Sequence, residues 1–309
     1  MDKKIIFAIA VAAAVAVVLP LSLMTDTQNN IPPEVAGDQK IKVVASFFPL
    51  YDFARRVGGD RAEVTSMVPA GVEPHNWEPT IRQISDAQSA DLFIFNGAGF
   101  ETWARDIEAK FVVDTSSGLE LLGAGGEEGG DRRAIDSHIW LDPVLAKQQV
   151  NKILDGFVKA DPENAQYYND NAARFIAELD ELDTLIRSEL SDCEKQDFIA
   201  FHNAFSYFAN RYGLTQHTVH VGLPEGEIAP QRLQQVVDLA KELKLDTIYS
   251  EELVDPRLAE VIASEIPDGK VLVLSPIEGL EGEELQAGLG YIDKMEQNLV
   301  NLKAGLKCR

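Results

Sequence analysis

The chain has 309 residues, enough for two domains, and 45% of them are hydrophobic, ample for buried cores. With 28 basic against 50 acidic residues the net charge is −22. That balance excludes nucleic acid as a partner, because no basic patch is there to neutralise phosphates; an acidic field favours cations and solubility instead.

The N-terminus carries Lys3-Lys4 and then an apolar run over residues 5–24, a pattern that directs export. A run of about twenty residues is long enough to span a bilayer. It shows no small-x-small cleavage site and no cysteine for a lipid, so an uncleaved membrane anchor is favoured over a cleaved signal peptide. Residues 25–40 are polar, include Pro32-Pro33 and read as a tether.

From residue 41 onward, strand and helix signals alternate. Residues 42–46 read as a strand, 51–57 as a helix ended by Gly58-Gly59, and 64–68 as a strand leading into the loop of His75. Residues 80–90 have helical spacing (Ile81, Ile84, Ala87), followed by buried-type strands at 92–96 and 111–113. The glycine-rich acidic stretch 123–131, with Glu127, Glu128 and Asp131, reads as a solvated loop. Pro143 opens a helix that runs to about residue 159.

Asp161-Pro162 restarts the helix, aspartate as N-cap and proline at the first helical position. Tyr168, Ala172, Phe175, Leu179, Leu182, Leu185, Ile186 and Leu190 then form one apolar stripe. From Pro162 to Leu190 the helix would measure about 45 Å, with no glycine or proline after Pro162 to serve as a hinge. Beyond it come a strand at 198–201, a helix at 204–212 ended by Gly213, and a strand at 218–221. A helix at 230–243, a strand at 247–250, a helix at 256–265, a last strand at 271–274 and a closing helix at 284–306 complete the chain. The alternation argues for an α/β fold with parallel sheets covered by helices.

The chain has five histidines. Three of them, His75, His138 and His202, lie roughly sixty residues apart, each after a strand or loop end. A single such histidine is ordinarily a surface or core residue. Three neutral imidazoles brought together point to a transition metal, zinc first, with bonds of about 2.0–2.1 Å. His217 and His220 read as ordinary surface histidines. Glu78, Asp136 and Asp142 are placed either to orient the imidazoles or to cap helices, and Trp77, Trp140 and Phe205 to pack beside them.

The contexts Glu73-Pro74-His75-Asn76-Trp77-Glu78-Pro79, His138-Ile139-Trp140-Leu141-Asp142-Pro143 and His202-Asn203-Ala204-Phe205-Ser206-Tyr207-Phe208 resemble the zinc/manganese solute-binding proteins of ABC transporters, the ZnuA/TroA type. The resemblance runs from about Ile41 to the C-terminus. It implies two small α/β domains bridged by one long helix, here 41–142 and 193–309 with connecting helices over 143–192. It also implies an extracytoplasmic, non-enzymatic receptor that holds a divalent metal between the domains and delivers it to a membrane permease.

A monomer is expected. The family usually has an aspartate directly after the last strand, where this chain has Ser275. Glu278 is the first candidate for the fourth ligand, with Glu251 and a water molecule as the others. Three imidazoles and at most one carboxylate favour zinc, with manganese possible. The alternative is a zinc metallohydrolase with an open three-histidine site, although no HExxH pair is present. A surface-attachment protein is a third reading, for which nothing in the chain speaks directly. Cys193 and Cys308, the two cysteines of an exported chain, are expected to pair, two free thiols being the alternative.

Overall fold

The computed structural model describes residues 40–123, 135–219 and 228–309. The N-terminal apolar run, most of the acidic loop and His220 lie outside these residues. The first lobe is built from β1 (Ile41–Ala45), α1 (Phe48–Gly58), β2 (Ala62–Ser66), α2 (Ile81–Gln88), β3 (Leu92–Phe95) and β4 (Phe111–Asp114). Two helices follow, α3 (Pro143–Ala160) and α4 (Ala165–Glu189). The second lobe has β5 (Asp197–Ala200), α5 (Ser206–Tyr212), β6 (Thr215–Thr218), α6 (Pro230–Leu243), β7 (Thr247–Ser250), α7 (Arg257–Ser264), β8 (Lys270–Val273), α8 (Gly282–Gln286) and α9 (Tyr291–Leu306).

Each lobe has one four-stranded parallel sheet, in the orders β2-β1-β3-β4 and β6-β5-β7-β8. The period-two alternation of strands explains the layering. Val43, Ala45, Leu92 and Ile94 face a core shared with α1, α3 and α4, whereas Val44, Phe93 and Phe95 face Ala87 of α2. In the second lobe Ile199, Phe201 and Ile248 face α6 and α7. Phe198, Ala200 and Tyr249 point the other way, into the same large core that the first lobe fills. One apolar core therefore runs through both lobes.

The long helix begins as a 3-10 turn at Pro162–Asn164. Asp161 does not cap it through the expected side-chain bond. Its Oδ2 accepts instead from Asn164 (2.8 Å) and from the Tyr168 hydroxyl (2.6 Å). The 25 residues of α4 span about 37 Å. Tyr168, Ala172, Phe175, Leu179, Leu182 and Ile186 form its buried stripe, while Leu185 sits off it, 40% exposed. Polar contacts fasten both ends. Asn171 Nδ2 donates to Val57 O (2.9 Å) and Arg56 pairs with Glu178 (2.6 Å) in the first lobe. In the second, the Tyr212 hydroxyl donates to Asp183 (2.9 Å) and Lys303 pairs with Glu189.

Two elements depart from the sequence reading. The strand expected at 218–221 runs at Thr215–Thr218, directly after Gly213 turns the chain with φ 71°. It is an edge strand, only partly buried, so its polar residues carry no alternation signal. The closing helix is broken: α8 ends where Gly288 takes φ 80°, and α9 restarts at Tyr291, whose backbone N–H donates to Asp52 Oδ2 (3.2 Å). Cys193 and Cys308 form a disulfide that ties the end of α4 to the end of α9.

Candidate metal centre

The carboxyl ends of parallel strands are where side chains from different segments converge. His75 lies in the irregular segment after β2, His202 directly after β5, and Glu251 directly after β7. His138 opens the short turn Ile139–Leu141 that leads into α3. Glu278 sits in the fully buried loop after β8, where Ile277 takes φ 57°. Trp140 Nε1 donates to Pro276 O (2.8 Å), which ties that loop to the first lobe.

Three imidazole Nε2 atoms and one carboxylate oxygen meet at one point. His138 Nε2 lies 3.4 Å from His75 Nε2 and 3.4 Å from His202 Nε2. Glu278 Oε1 lies 3.0, 3.1 and 3.6 Å from the Nε2 atoms of His75, His138 and His202. A tetrahedral zinc with bonds of 2.0–2.1 Å has donor–donor edges of about 3.3–3.4 Å, because the edge is 1.63 times the bond. Five of the six donor–donor edges thus already stand near the spacing of such a shell, and all four atoms lie within 4.8 Å of one another. All are sheltered: the Glu278 and His202 side chains are 3% exposed and those of His138 and His75 9% and 11%.

In His138 and His202 the other imidazole nitrogen is engaged by a carboxylate, which fixes those two rings. Asp136 Oδ1 lies 2.8 Å from His138 Nδ1 and Glu251 Oε1 2.6 Å from His202 Nδ1. Glu251 therefore serves the far side of His202. Ser275 is engaged elsewhere: its hydroxyl donates to Glu252 and accepts from Ile277 N (3.0 Å), shaping the turn that delivers Glu278. Asp142 caps α3 through Val144 N (2.8 Å) and pairs with Arg211 (2.6 Å), and Glu78 is exposed. Of the expected aromatic neighbours, Trp140 packs on His138 (5.1 Å between ring centroids), whereas Trp77 packs on Trp103 and Phe205 against Phe198 and Phe208. His217 pairs with Asp197 (2.8 Å) away from the cluster.

Sequence reasoning missed Glu73 and Phe100. Glu73 accepts from His75 N (2.8 Å) as Asp136 does from His138 N (2.9 Å). The shared spacing, an acid two residues before a histidine, was the available signal. Burial, reinforced by Glu278, pushes Glu73 up to about 8. Phe100 lies edge-on to His75 at 4.9 Å and left no signal, being a single aromatic in a distant segment.

A profile of the family described as zinc-uptake complex component A, periplasmic, matches residues 43–305. The chain belongs to this family. It is 39% identical over 284 residues to the high-affinity zinc uptake system protein ZnuA of Bacillus subtilis, covering 87% of this chain and 88% of that one. Among solved structures it resembles the metal-dependent lipoprotein YcdH of Bacillus subtilis, with a TM-score of 0.76 and 40% identity over 86% of this chain and 99% of that one. The Zn(II)-bound ZnuA-like domain of Streptococcus pneumoniae AdcA gives a TM-score of 0.76 and 33% identity, over 86% and 99%. Members of the zinc-uptake family are extracytoplasmic receptors of ABC transport and not enzymes, and this chain is one of them.

The charges at the site bear on how such a receptor loads. Burial alone would lower His138, but the hydrogen bonds of Asp136 and Glu278 outweigh it and bring the metal-free imidazole up to about 9. His202 is likewise held well above its usual range: burial opposes the shift and the Glu251 carboxylate overcomes it. Burial would raise Glu278, yet the neighbouring imidazoles, His75 foremost, keep it well below the usual range. In the metal-free protein, protons occupy nitrogens that a metal needs. Zinc binding at pH 7 should therefore expel protons, seen as a binding enthalpy that depends on the ionisation heat of the buffer. Affinity should keep rising from pH 7 to about 9, where a histidine at its ordinary value would already have levelled off. A flat affinity over that interval would contradict the protonated cluster.

Proposed function

We propose that the chain captures a zinc ion outside the cytoplasmic membrane with His75, His138, His202 and Glu278 and hands it to the membrane permease of an ABC transporter. The observation that carries this reading is the convergence of four sheltered donor atoms, from four separate segments, at the spacing of a tetrahedral shell. One carboxylate among three imidazoles suits zinc better than manganese, which favours more oxygen ligands. A hydrolase keeps its fourth position for water; here Glu278 stands in it, which argues against the metallohydrolase alternative. The test is calorimetric titration of the metal-stripped protein. One zinc per chain is expected, with manganese bound more weakly. Absence of a zinc site, or manganese displacing zinc, would refute the proposal.

The remaining organisation follows from the same reading. Residues 41–142 and 193–309 are the two lobes and 143–192 the connector. All four donors come from one chain, so a monomer suffices, and the charge of −22 speaks against nucleic acid. Several of the relatives are named as lipoproteins. In this chain both cysteines are joined to each other, which leaves the apolar run 5–24, a signal peptide or a membrane anchor, as the segment that directs export, with residues 25–40 as the tether.

Loading should involve little overall motion. The helix α4 has no glycine or proline and is fastened to both lobes. Zinc should raise the melting temperature by mass action. Small-angle scattering should register almost no change in size: a fall in radius of gyration of more than about 1 Å would mean hinge closure and a helix that does not brace.

A further inference from the structure

We propose that residues 97–100 form a lid over the metal centre, closed by Phe100 against His75, with Glu101 as the positioning residue that holds it shut. The proposal rests on the zinc reading above and adds to it the group that governs escape of the ion. His75 is the most exposed of the four side chains at the centre, so the way out runs past it. Phe100 stands edge-on to that ring at 4.9 Å and 6.3 Å from the His138 ring. Behind it Phe47 (4.7 Å) and Trp140 (5.2 Å) back the phenyl group. The ring is thus wedged between an apolar wall and the ligand nearest solvent.

The backbone that carries Phe100 is unusual. Gly97, Ala98 and Gly99 have φ values of 79°, 51° and 85°, three left-handed residues in succession. A Cβ on Gly97 would lie 2.1 Å from Asp114 Oδ1, so no larger residue fits there. A turn of this kind persists only when its surroundings hold it. Glu101 is the group that does so. It is 5% exposed, and its Oε1 accepts from the Ser46 hydroxyl (2.6 Å) and Asn96 N (2.9 Å). Its Oε2 accepts from Gly97 N (3.1 Å), and Ser116 Oγ accepts from Ala98 N (2.9 Å). The same network reaches the ligands, since Asn96 Nδ2 donates to Ser137 O (2.9 Å), next to His138. Glu101 touches neither His75 nor the ion and acts through the turn and Phe100.

The test is the rate at which the zinc-loaded full chain releases its ion to excess chelator, read by stopped-flow with a fluorescent zinc indicator. Phe100→Ala should release zinc more than about threefold faster than the wild type, and Phe100→Leu, which keeps an apolar cover, should stay below that mark. Glu101→Gln keeps the shape but sets an amide N–H against a backbone N–H or the Ser46 and Asn96 donors. It should speed release as Phe100→Ala does, and the double variant should be no faster than Phe100→Ala alone, because both act on one lid. A residue that only supports the fold would lower the melting temperature without this pattern of rates. Threefold or smaller acceleration in Phe100→Ala, equal acceleration in Phe100→Leu, or multiplying effects in the double variant would each overturn the lid. Should Glu101→Gln not fold, the two Phe100 variants decide the matter. A wild type that binds no zinc would overturn the proposed function and the lid with it, whereas zinc binding with unchanged release overturns the lid alone.

Discussion

Glu278→Ala should lower zinc affinity by about a thousandfold and Ser275→Ala by only about tenfold, since removing partners outside the metal shell typically costs 10–100-fold and a direct ligand must cost more. The two residues are three apart in one buried loop, yet their side chains do different things. Glu278 Oε1 stands 3.0–3.6 Å from all three imidazole nitrogens. Ser275 is occupied by Glu252 and by Ile277 N. Its loss loosens the turn but leaves the carboxylate in place. Single alanine variants of His75, His138 and His202 should match Glu278→Ala, with the circular dichroism of the folded protein kept. Competition against a chelator of known affinity measures all five. An equal loss in the two loop variants, or a metal-bound structure with Glu278 more than about 4 Å from the ion, would remove Glu278 from the shell.

The second large effect concerns stability. Replacing Cys193 and Cys308 by serine should cost about 4 kcal/mol, because the bond closes a loop of 115 residues and the chain-entropy model gives about 4.7 kcal/mol for a loop near that size. The loss should act on the unfolded chain. In the folded state the same segments are joined by backbone bonds from Lys195 N to Leu306 O (3.0 Å) and from Arg309 N to Asp192 O (3.1 Å), which the substitution leaves alone. Guanidinium unfolding of metal-free protein should show the lower midpoint, while zinc affinity stays within a factor of a few. Thiol labelling of the unreduced, denatured wild type should find no free thiol; two per chain would exclude the bond.

Much of the fold was legible because its signals are local. The buried strand Leu92–Phe95 is a short apolar run, and α4 carries a long stripe at helical spacing. The strand β6 was misplaced because an edge strand with polar residues has no such pattern. The break between α8 and α9 was hidden in a sequence whose apolar residues fit one helix until Gly288 is given its backbone angle.

At the candidate metal centre the three histidine contexts and the loop after the last strand are the segments whose side chains the folded chain brings together. What sequence could not supply was direction. Glu251 and Glu278 both follow strands of one sheet, but only the folded chain turns one to Nδ1 of His202 and the other to its Nε2. Phe100 belongs to the same class of unknown, since its role depends on a turn of three left-handed residues that composition does not announce.

The position of α9 sets a schedule for the whole molecule. Tyr291, Met295, Leu299, Leu302 and Leu306 belong to the core that both lobes share. Tyr291 packs against Phe53 (5.0 Å) and its hydroxyl donates to Trp140 O (2.5 Å), so the last helix plugs the first lobe as well as its own. A polypeptide still emerging from the ribosome lacks this plug and leaves Phe53, Trp140 and Tyr249 without their neighbours. The shared core is complete only once the last helix is made, although each lobe also has a smaller cluster that α9 does not touch. Deleting α9 should therefore expose apolar surface in the first lobe as well as in its own.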